Sequence, residues 1–128
     1  MNVKTTLRIS ALCWILLSAL VWSVLWVTPE MLPYAEIPEA LNAARGWGDI
    51  NCLLFLCVGI IWFLSSQLGD FQEKRKVSAM NFLMALLFIG AGTFHHTSPG
   101  LEGPPPPVFI LMSISGLAAL YGWRFSKS

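Results

Sequence analysis

Charged side chains are scarce in this sequence of 128 residues, since 8 basic and 7 acidic residues make up 12% of the chain. Soluble domains carry about 25% charged residues. A chain of 14.2 kDa also has too little interior to bury the 55% of its residues that are hydrophobic. The net charge of +1 supplies no clustered basic face of the kind that binds nucleic acid. The composition argues against a soluble globular domain, disorder and nucleic-acid binding, and it indicates a protein surrounded by lipid.

Complete catalytic motifs are missing as well. The three cysteines, Cys13, Cys52 and Cys57, form no Cys-x-x-Cys pair, which argues against the dithiol chemistry of membrane thiol oxidases. No Ser-His-Asp arrangement, phosphate loop or HExxH zinc motif occurs in the sequence. We therefore expect a protein that is not an enzyme, with no catalytic residues and no metal site.

Four apolar windows are long enough to cross a bilayer, which takes about 20 residues. None of them shows the alternation of a membrane strand, so helices are expected. We predict an all-α integral membrane protein in which residues 1–128 form a single domain, an antiparallel up-and-down four-helix bundle. The predicted helices cover about 9–27, 48–69, 77–95 and 107–124, with outer loops 28–47 and 96–106 and an inner loop 70–76. The first window lacks a small-x-small cleavage pattern, so we expect it to be a retained helix.

The second window raises a question of length. A helix unbroken from Pro38 to Gly69 would be about 48 Å long at 1.5 Å per residue, which exceeds the bilayer core. We expect either a break near Gly46 and Gly48 or a tilted helix that projects from the membrane surface.

The basic residues lie on one side of this threading. They occupy the N-terminal tail, the 70–76 loop and the C-terminal tail, and only Arg45 falls on the other side. Short loops rich in Lys and Arg stay in the cytoplasm. The distribution predicts a multi-pass protein of the cell inner (plasma) membrane with both termini cytoplasmic.

The outer side holds the candidate cofactor-binding residues, Asp49, His95 and His96. The second and third helices are joined by a short turn and have similar lengths. We therefore expect them to be antiparallel neighbours, with Asp49 near His95 or His96. Adjacent helical residues point about 100° apart and usual metal sites need three or four ligands, so a polar helix end is the favoured interpretation of the two histidines. Arg45 and Asp49 are four residues apart and are expected to pair as an anchor at the membrane surface.

Small residues predict where helices pack closely. Gly90 and Gly92 in the third helix and Gly116 in the fourth helix are assigned structural roles in a seam between these two helices. The proline run 104–107 is interpreted as a rigid spacer before the fourth helix rather than as a recognition strip.

Two local patterns carry a resemblance to a known family. Asn42, Arg45 and Gly48 precede the second helix, and Glu102-Gly103-Pro104-Pro105 precedes the fourth. With the four-helix layout over roughly residues 9–124, the chain resembles a family of small four-helix bacterial membrane proteins of unknown function, loosely grouped with DoxX-like proteins. Family members often have an arginine at the end of helix three and an acid in helix four, where this chain has 93–96 (Thr-Phe-His-His) and 113–116 (Ser-Ile-Ser-Gly). Some DoxX-type proteins are subunits of quinone-linked sulfur oxidation, so the resemblance implies a quinone as one alternative ligand.

Three functions follow as hypotheses. The first is a non-catalytic accessory or scaffold subunit of a larger membrane complex, whose partners are the lipid bilayer and other membrane subunits or further copies of itself. The second is a quinone- or metal-linked redox protein that uses Asp49 with His95 or His96. The third is a small transporter, which the lack of a mid-membrane charge opposes. No cofactor is predicted for the first hypothesis.

Overall fold

The computed structural model describes residues 1–32, 34–99 and 103–127. Over these residues the chain forms four α-helices, a single 3-10 turn at Pro29–Met31 and no strand. The helices are α1 (Val3–Trp26), α2 (Pro38–Ser65), α3 (Phe71–Thr97) and α4 (Pro106–Arg124). Each of the four is long and apolar enough to cross a membrane. The predictions of an all-α protein and of four helices long and apolar enough to span a membrane are confirmed for the described residues.

Three helices begin earlier than hydropathy predicts, because capping rather than apolar content fixes where they start. The side chain of Asn2 accepts a hydrogen bond from the Thr5 backbone N–H (2.9 Å) at the start of α1. The side chain of Asp70 accepts one from the Glu73 N–H (2.8 Å) at the start of α3. Pro38 occupies the first turn of α2, where its missing N–H costs nothing. Much of the predicted loops 28–47 and 70–76 is therefore helical.

The α2 helix runs without a break over 28 residues, about 42 Å at 1.5 Å per residue. Of the two expected alternatives, the break near Gly46 and Gly48 is excluded, because the helix is continuous there. Gly48 is buried, and a Cβ added there would collide with the Leu25 side chain of α1. The glycine therefore permits close approach between α1 and α2 rather than ending a helix.

The α1 helix is the centre of the bundle, packing along both α2 and α4, while α3 packs along α4. The backbones of α2 and α3 approach each other little, although only residues 66–70 separate the two helices. The rings of Phe55 and Phe88, with centroids 5.7 Å apart, span the space between them. The two helices therefore contact each other through these rings, but their backbones do not form the close pair that the short connection suggested. A short loop keeps two helices close only at the ends that it joins. Close packing along their length occurs where glycine and alanine let the backbones approach.

The predicted seam between α3 and α4 is present at two of its three glycines. A Cβ added at Gly92 would lie 2.9 Å from Phe109 Cζ, and one at Gly116 would lie 3.2 Å from the Ala85 Cβ. A Cβ added at Gly90 would meet no atom within 4 Å. Gly90 therefore lies outside the seam, because it is on the other side of α3 from Gly92.

Two hydrogen bonds join α1 to α3 and α4 in the core, although Trp62 Nε1, Asn81 Nδ2 and Ser115 Oγ have no partner among the described residues. Trp14 is buried, and its indole N–H donates to Asn81 Oδ1 of α3 (3.2 Å). The Ser10 hydroxyl donates to the Ser115 carbonyl of α4 (3.1 Å). Each bond of this kind contributes modestly in a membrane, on average about 0.6 kcal/mol. Together they fix which faces of α1, α3 and α4 meet.

Candidate functional site

Arg45 and Asp49 of α2 meet at Trp26, the last residue of α1. The Trp26 indole N–H donates to Asp49 Oδ1 (2.9 Å). The Arg45 guanidinium lies over the face of the same ring, with Cζ 4.6 Å from the centroid. The Arg45 Nε–H also donates to the Leu25 carbonyl (3.1 Å), one of the last carbonyls of α1, which lack a partner within their own helix. We call these four residues, Leu25, Trp26, Arg45 and Asp49, the Trp26 cluster.

The Trp26 cluster differs from the predicted Arg45–Asp49 pair in one respect. The two charged side chains reach Trp26 from different directions, the cation over the ring face and the carboxylate at the indole edge. This arrangement uses both polar features of the ring, since the face of an indole attracts cations and its N–H donates. Both members of the predicted Arg45–Asp49 pair thus contact Trp26, which lies between their charges.

A groove of about 690 Å³ opens beside the Trp26 cluster, between α1 and α2. Asp49 is the only charged residue among those that line it: Ile15, Ser18, Ala19, Trp22, Trp26, Asp49, Cys52, Leu53 and Leu56. The Ser18 hydroxyl donates to the Cys52 carbonyl (2.7 Å), so its polar atom is already satisfied. The groove can hold an elongated apolar molecule with a polar group at the Asp49 end.

Sequence reasoning missed this groove, although its spacing is visible in the chain. Trp22 and Trp26 are four residues apart, and Asp49, Leu53 and Leu56 follow the same helical period. Each set therefore lies on one face of its helix. What the sequence lacks is any sign of the angle at which α1 and α2 cross, and that angle decides whether the two faces close together or leave a groove.

His96 is held at the other pair of helices. Its Nε2 hydrogen bonds with the Pro104 carbonyl at 2.9 Å, in the tautomer in which Nε2 carries the proton. The ring stacks on Phe109 of α4, with centroids 5.5 Å apart. His95 is exposed, and its ring lies edge-on to Phe94 with centroids 6.1 Å apart. His96 therefore joins the end of α3 to the segment that leads into α4.

The candidate cofactor residues are thus distributed over two helix pairs. Asp49 bonds to α1, whereas His96 bonds to the segment before α4, and these bonds do not join Asp49 to a histidine. Over residues 1–32, 34–99 and 103–127, no group of three or more His, Cys, Asp and Glu side chains is placed to hold a metal ion. Glu102, which the threading puts on the same side, lies outside the described residues.

Comparison of the chain with protein-family models, with curated proteins and with solved structures finds no match in any of the three. Its function is therefore inferred from the geometry of the described residues and from the chemistry of its surface.

Proposed function

We propose that this chain is a non-catalytic accessory or scaffold subunit that docks on another membrane helix through the outward face of α3. The observation that carries the proposal is the surroundings of Gly90. This glycine is exposed, and a Cβ added to it would meet nothing within 4 Å. Packing inside the chain therefore does not account for the missing side chain, as it does for Gly92.

The surface around Gly90 has the shape that a second helix requires. Leu83, Leu87 and Phe94 share the outward side of α3 with Gly90 and are 57%, 66% and 63% exposed, respectively. Gly90 forms a notch one turn from both Leu87 and Phe94. Helices in membranes associate where small residues let their backbones approach, because lipid offers no hydrophobic driving force between them. A glycine that faced only lipid would make the helix about 1 kcal/mol less stable than alanine would, and no packing contact would offset this loss. We call the residues Leu83, Leu87, Gly90 and Phe94 the α3 outer face.

The proposal includes the threading of the bundle. Contacts link the first turns of α1 to the end of α2 through Arg8 and Phe63 (5.9 Å from Cζ to the ring centroid). They also link the start of α3 to the end of α4, where the Arg75 Nε–H donates to the Trp123 carbonyl (2.8 Å). These contacts support an antiparallel up-and-down bundle whose basic ends lie together. By the positive-inside tendency we place that end, with both termini, on the cytoplasmic side of a bacterial inner membrane.

The relationship to DoxX-like proteins also remains a proposal. It is supported by two of the three motif residues before the second membrane span, since Arg45 bonds to the Leu25 carbonyl and Gly48 packs on the Leu25 side chain. A motif whose residues hold α1 to α2 is a reasonable signature of a shared fold.

The groove between α1 and α2 favours a second candidate function, a quinone-linked redox protein. Its volume of about 690 Å³ lies in the range of small-molecule sites, and the Asp49 carboxylate can accept a hydrogen bond from a quinol hydroxyl. In this candidate function Asp49 accepts the hydrogen bond alone, and neither His95 nor His96 takes part. Extraction and chromatography of the purified protein tests it, because a bound quinol, recovered as such or as the quinone formed from it by air oxidation, should be lost from Asp49→Ala and kept in Glu39→Ala. Protein that carries no quinone from native membranes would count against this candidate.

Co-purification from native membranes in mild detergent tests the docking proposal. We expect the tagged wild-type chain to elute with a second membrane protein or as an oligomer, and Gly90→Leu to elute as the single chain. Ser113→Leu is the matched control, because Ser113 is exposed on α4 and the same bulk is added away from the α3 outer face. A wild-type chain that always elutes alone would remove the main support for the proposal.

A further inference from the structure

A second cavity, of about 320 Å³, lies at the opposite end of the bundle from the Trp26 cluster. It is lined by Gln72, Arg75, Lys76 and Ala79 of α3 and by Trp123 of α4. Two of these five residues carry a positive charge and none carries a negative charge. Neither the proposed docking face nor the α1–α2 groove uses any of them. We call this cavity the basic cavity.

The walls of the basic cavity are held in place by the fold. The Arg75 Nε–H donates to the Trp123 carbonyl (2.8 Å), one of the last carbonyls of α4, which have no partner within the helix. The two terminal amino groups of the guanidinium make no hydrogen bond to another described residue, and the guanidinium lies over the Phe71 ring (5.8 Å from Cζ to the centroid). The Trp123 ring lies between Phe82 (6.2 Å between centroids) and the Arg124 guanidinium (4.8 Å from Cζ to the centroid). The cation and the ring are thus positioned before any ligand arrives.

The donors around the cavity match one chemical class. A guanidinium, an ammonium group and the Gln72 amide all donate hydrogen bonds, and phosphate oxygens accept them strongly from Arg and Lys. Two acids lie at the same end of α3, Asp70 and Glu73. Asp70 caps the helix by accepting the Glu73 N–H, and neither side chain lines the cavity. The lining therefore attracts an anion.

The position of the cavity distinguishes a lipid from a free anion. Ala79 lies about two turns along α3 from Gln72, towards the apolar part of the span, and the adjacent Met80 is 62% exposed on the lipid-facing surface. Trp123 supplies the amphipathic ring that favours the headgroup zone. A phosphate at Arg75 and Lys76 would have apolar surface beside it for the glycerol and the first methylene groups of a lipid.

We propose that the basic cavity binds the phosphate group of an anionic membrane lipid. Basic pockets between membrane helices are known to take such headgroups. The bound lipid would contact both the start of α3 and the end of α4 and so join the two helices. It goes beyond the proposed docking function, and it depends on neither the α3 outer face nor the orientation of the termini.

Native mass spectrometry of the detergent-purified chain tests this site, with phosphatidylglycerol, phosphatidylcholine and inorganic phosphate as separate probes. We expect phosphatidylglycerol to be retained preferentially. Lys76→Gln should weaken it about fivefold, and Arg75→Gln with Lys76→Gln roughly twenty-fivefold, since each basic residue near a charged membrane surface contributes a factor of about five. Lys76→Gln keeps the Arg75–Trp123 bond, so it remains informative if the double variant fails to fold.

The matched control is the pair Lys4→Gln and Lys127→Gln, which removes two positive charges near the chain termini without touching the cavity. Retention of phosphatidylglycerol by this control supports the site. Equal loss in the control and in Lys76→Gln would overturn it, because the attraction would then come from the overall charge. Equal retention of phosphatidylcholine, or displacement of phosphatidylglycerol by equimolar inorganic phosphate, would also overturn the assignment to an anionic lipid.

Discussion

Gly90 and Gly92 are two residues apart on α3 and have opposite surroundings. A Cβ at Gly92 would lie 2.9 Å from Phe109 Cζ and 3.0 Å from Pro104 Cγ, whereas one at Gly90 would meet nothing within 4 Å. Gly92→Leu should therefore lower the free energy of unfolding by about 1–3 kcal/mol through overpacking. Gly90→Leu should leave the stability of the single chain nearly unchanged. Thermal unfolding in detergent compares the two, and equal losses would place both glycines in one interface.

The Trp14–Asn81 bond gives a second prediction for single residues. Both side chains are buried, and the indole N–H donates to Asn81 Oδ1 (3.2 Å). A double-mutant cycle with Trp14→Phe and Asn81→Leu should give a coupling energy of about 0.6 kcal/mol, the average for hydrogen bonds between membrane helices. Unfolding of the wild type, the two single variants and the double variant in mixed micelles measures this coupling energy. Strict additivity of the two substitutions would show that the bond contributes nothing.

At single residues, the sequence predicted packing better than polar contacts. Gly92 and Gly116 were identifiable because small residues at helical spacing have one common use in a membrane. The hydrogen-bond partner of His96 was not identifiable, because it is the backbone carbonyl of Pro104. Every residue type carries a backbone carbonyl, so the sequence does not mark which one accepts the bond. The same applies to Arg45 and the Leu25 carbonyl.

The first turns of α2 are an element whose order depends on Arg45. Residues 38–47 extend beyond the predicted span, and Arg45 ties them to α1 through the Leu25 carbonyl and the Trp26 ring. A hydrogen bond and an exposed cation–π contact contribute about 1 kcal/mol each. Arg45→Ala should therefore speed amide exchange in residues 38–47 by roughly tenfold or more and leave residues 52–62 unchanged.

Hydrogen-exchange mass spectrometry measures this difference. Arg124→Ala is the control, since Arg124 lies over Trp123 at the end of α4 in an equivalent cation–π contact. Exchange in residues 38–47 that is unaffected by Arg45→Ala would mean that the helix there is stable by itself.

Hydropathy predicted that four helices exist, and it placed their centres, because a bilayer imposes one length of apolar segment on each. It did not predict the ends, since Asn2 and Asp70 begin α1 and α3 with polar side chains. It also did not predict neighbours. The short 66–70 connection suggested that α2 and α3 pack closely, yet α2 packs mainly on α1 and α3 packs mainly on α4. Helix order in space follows from complementary surfaces, which periodicity in one chain does not encode.

For the whole molecule, the threading predicts where reporters will be active. A reporter after residue 127 and one within 70–76 should both report the cytoplasm, because the basic residues cluster there. A reporter inserted near Glu102 should report the outside. Paired alkaline phosphatase and fluorescent protein fusions make this measurement. A C-terminal reporter found outside would mean that one of the four helices does not cross the membrane.

The central claim is that the α3 outer face docks on another membrane helix, and cysteine crosslinking in native membranes tests it most directly. Leu87 and Leu117 are both 66% exposed, the first beside the Gly90 notch and the second on α4. In a chain whose native cysteines at 13, 52 and 57 are replaced by alanine, Leu87→Cys and Leu117→Cys are matched probes. We predict that a photoactivatable benzophenone attached to the cysteine at position 87, and not at 117, yields a species larger than the single chain, because it inserts into C–H bonds of any helix in contact with it. Single chains from both variants, or equal crosslinking of both, would contradict it.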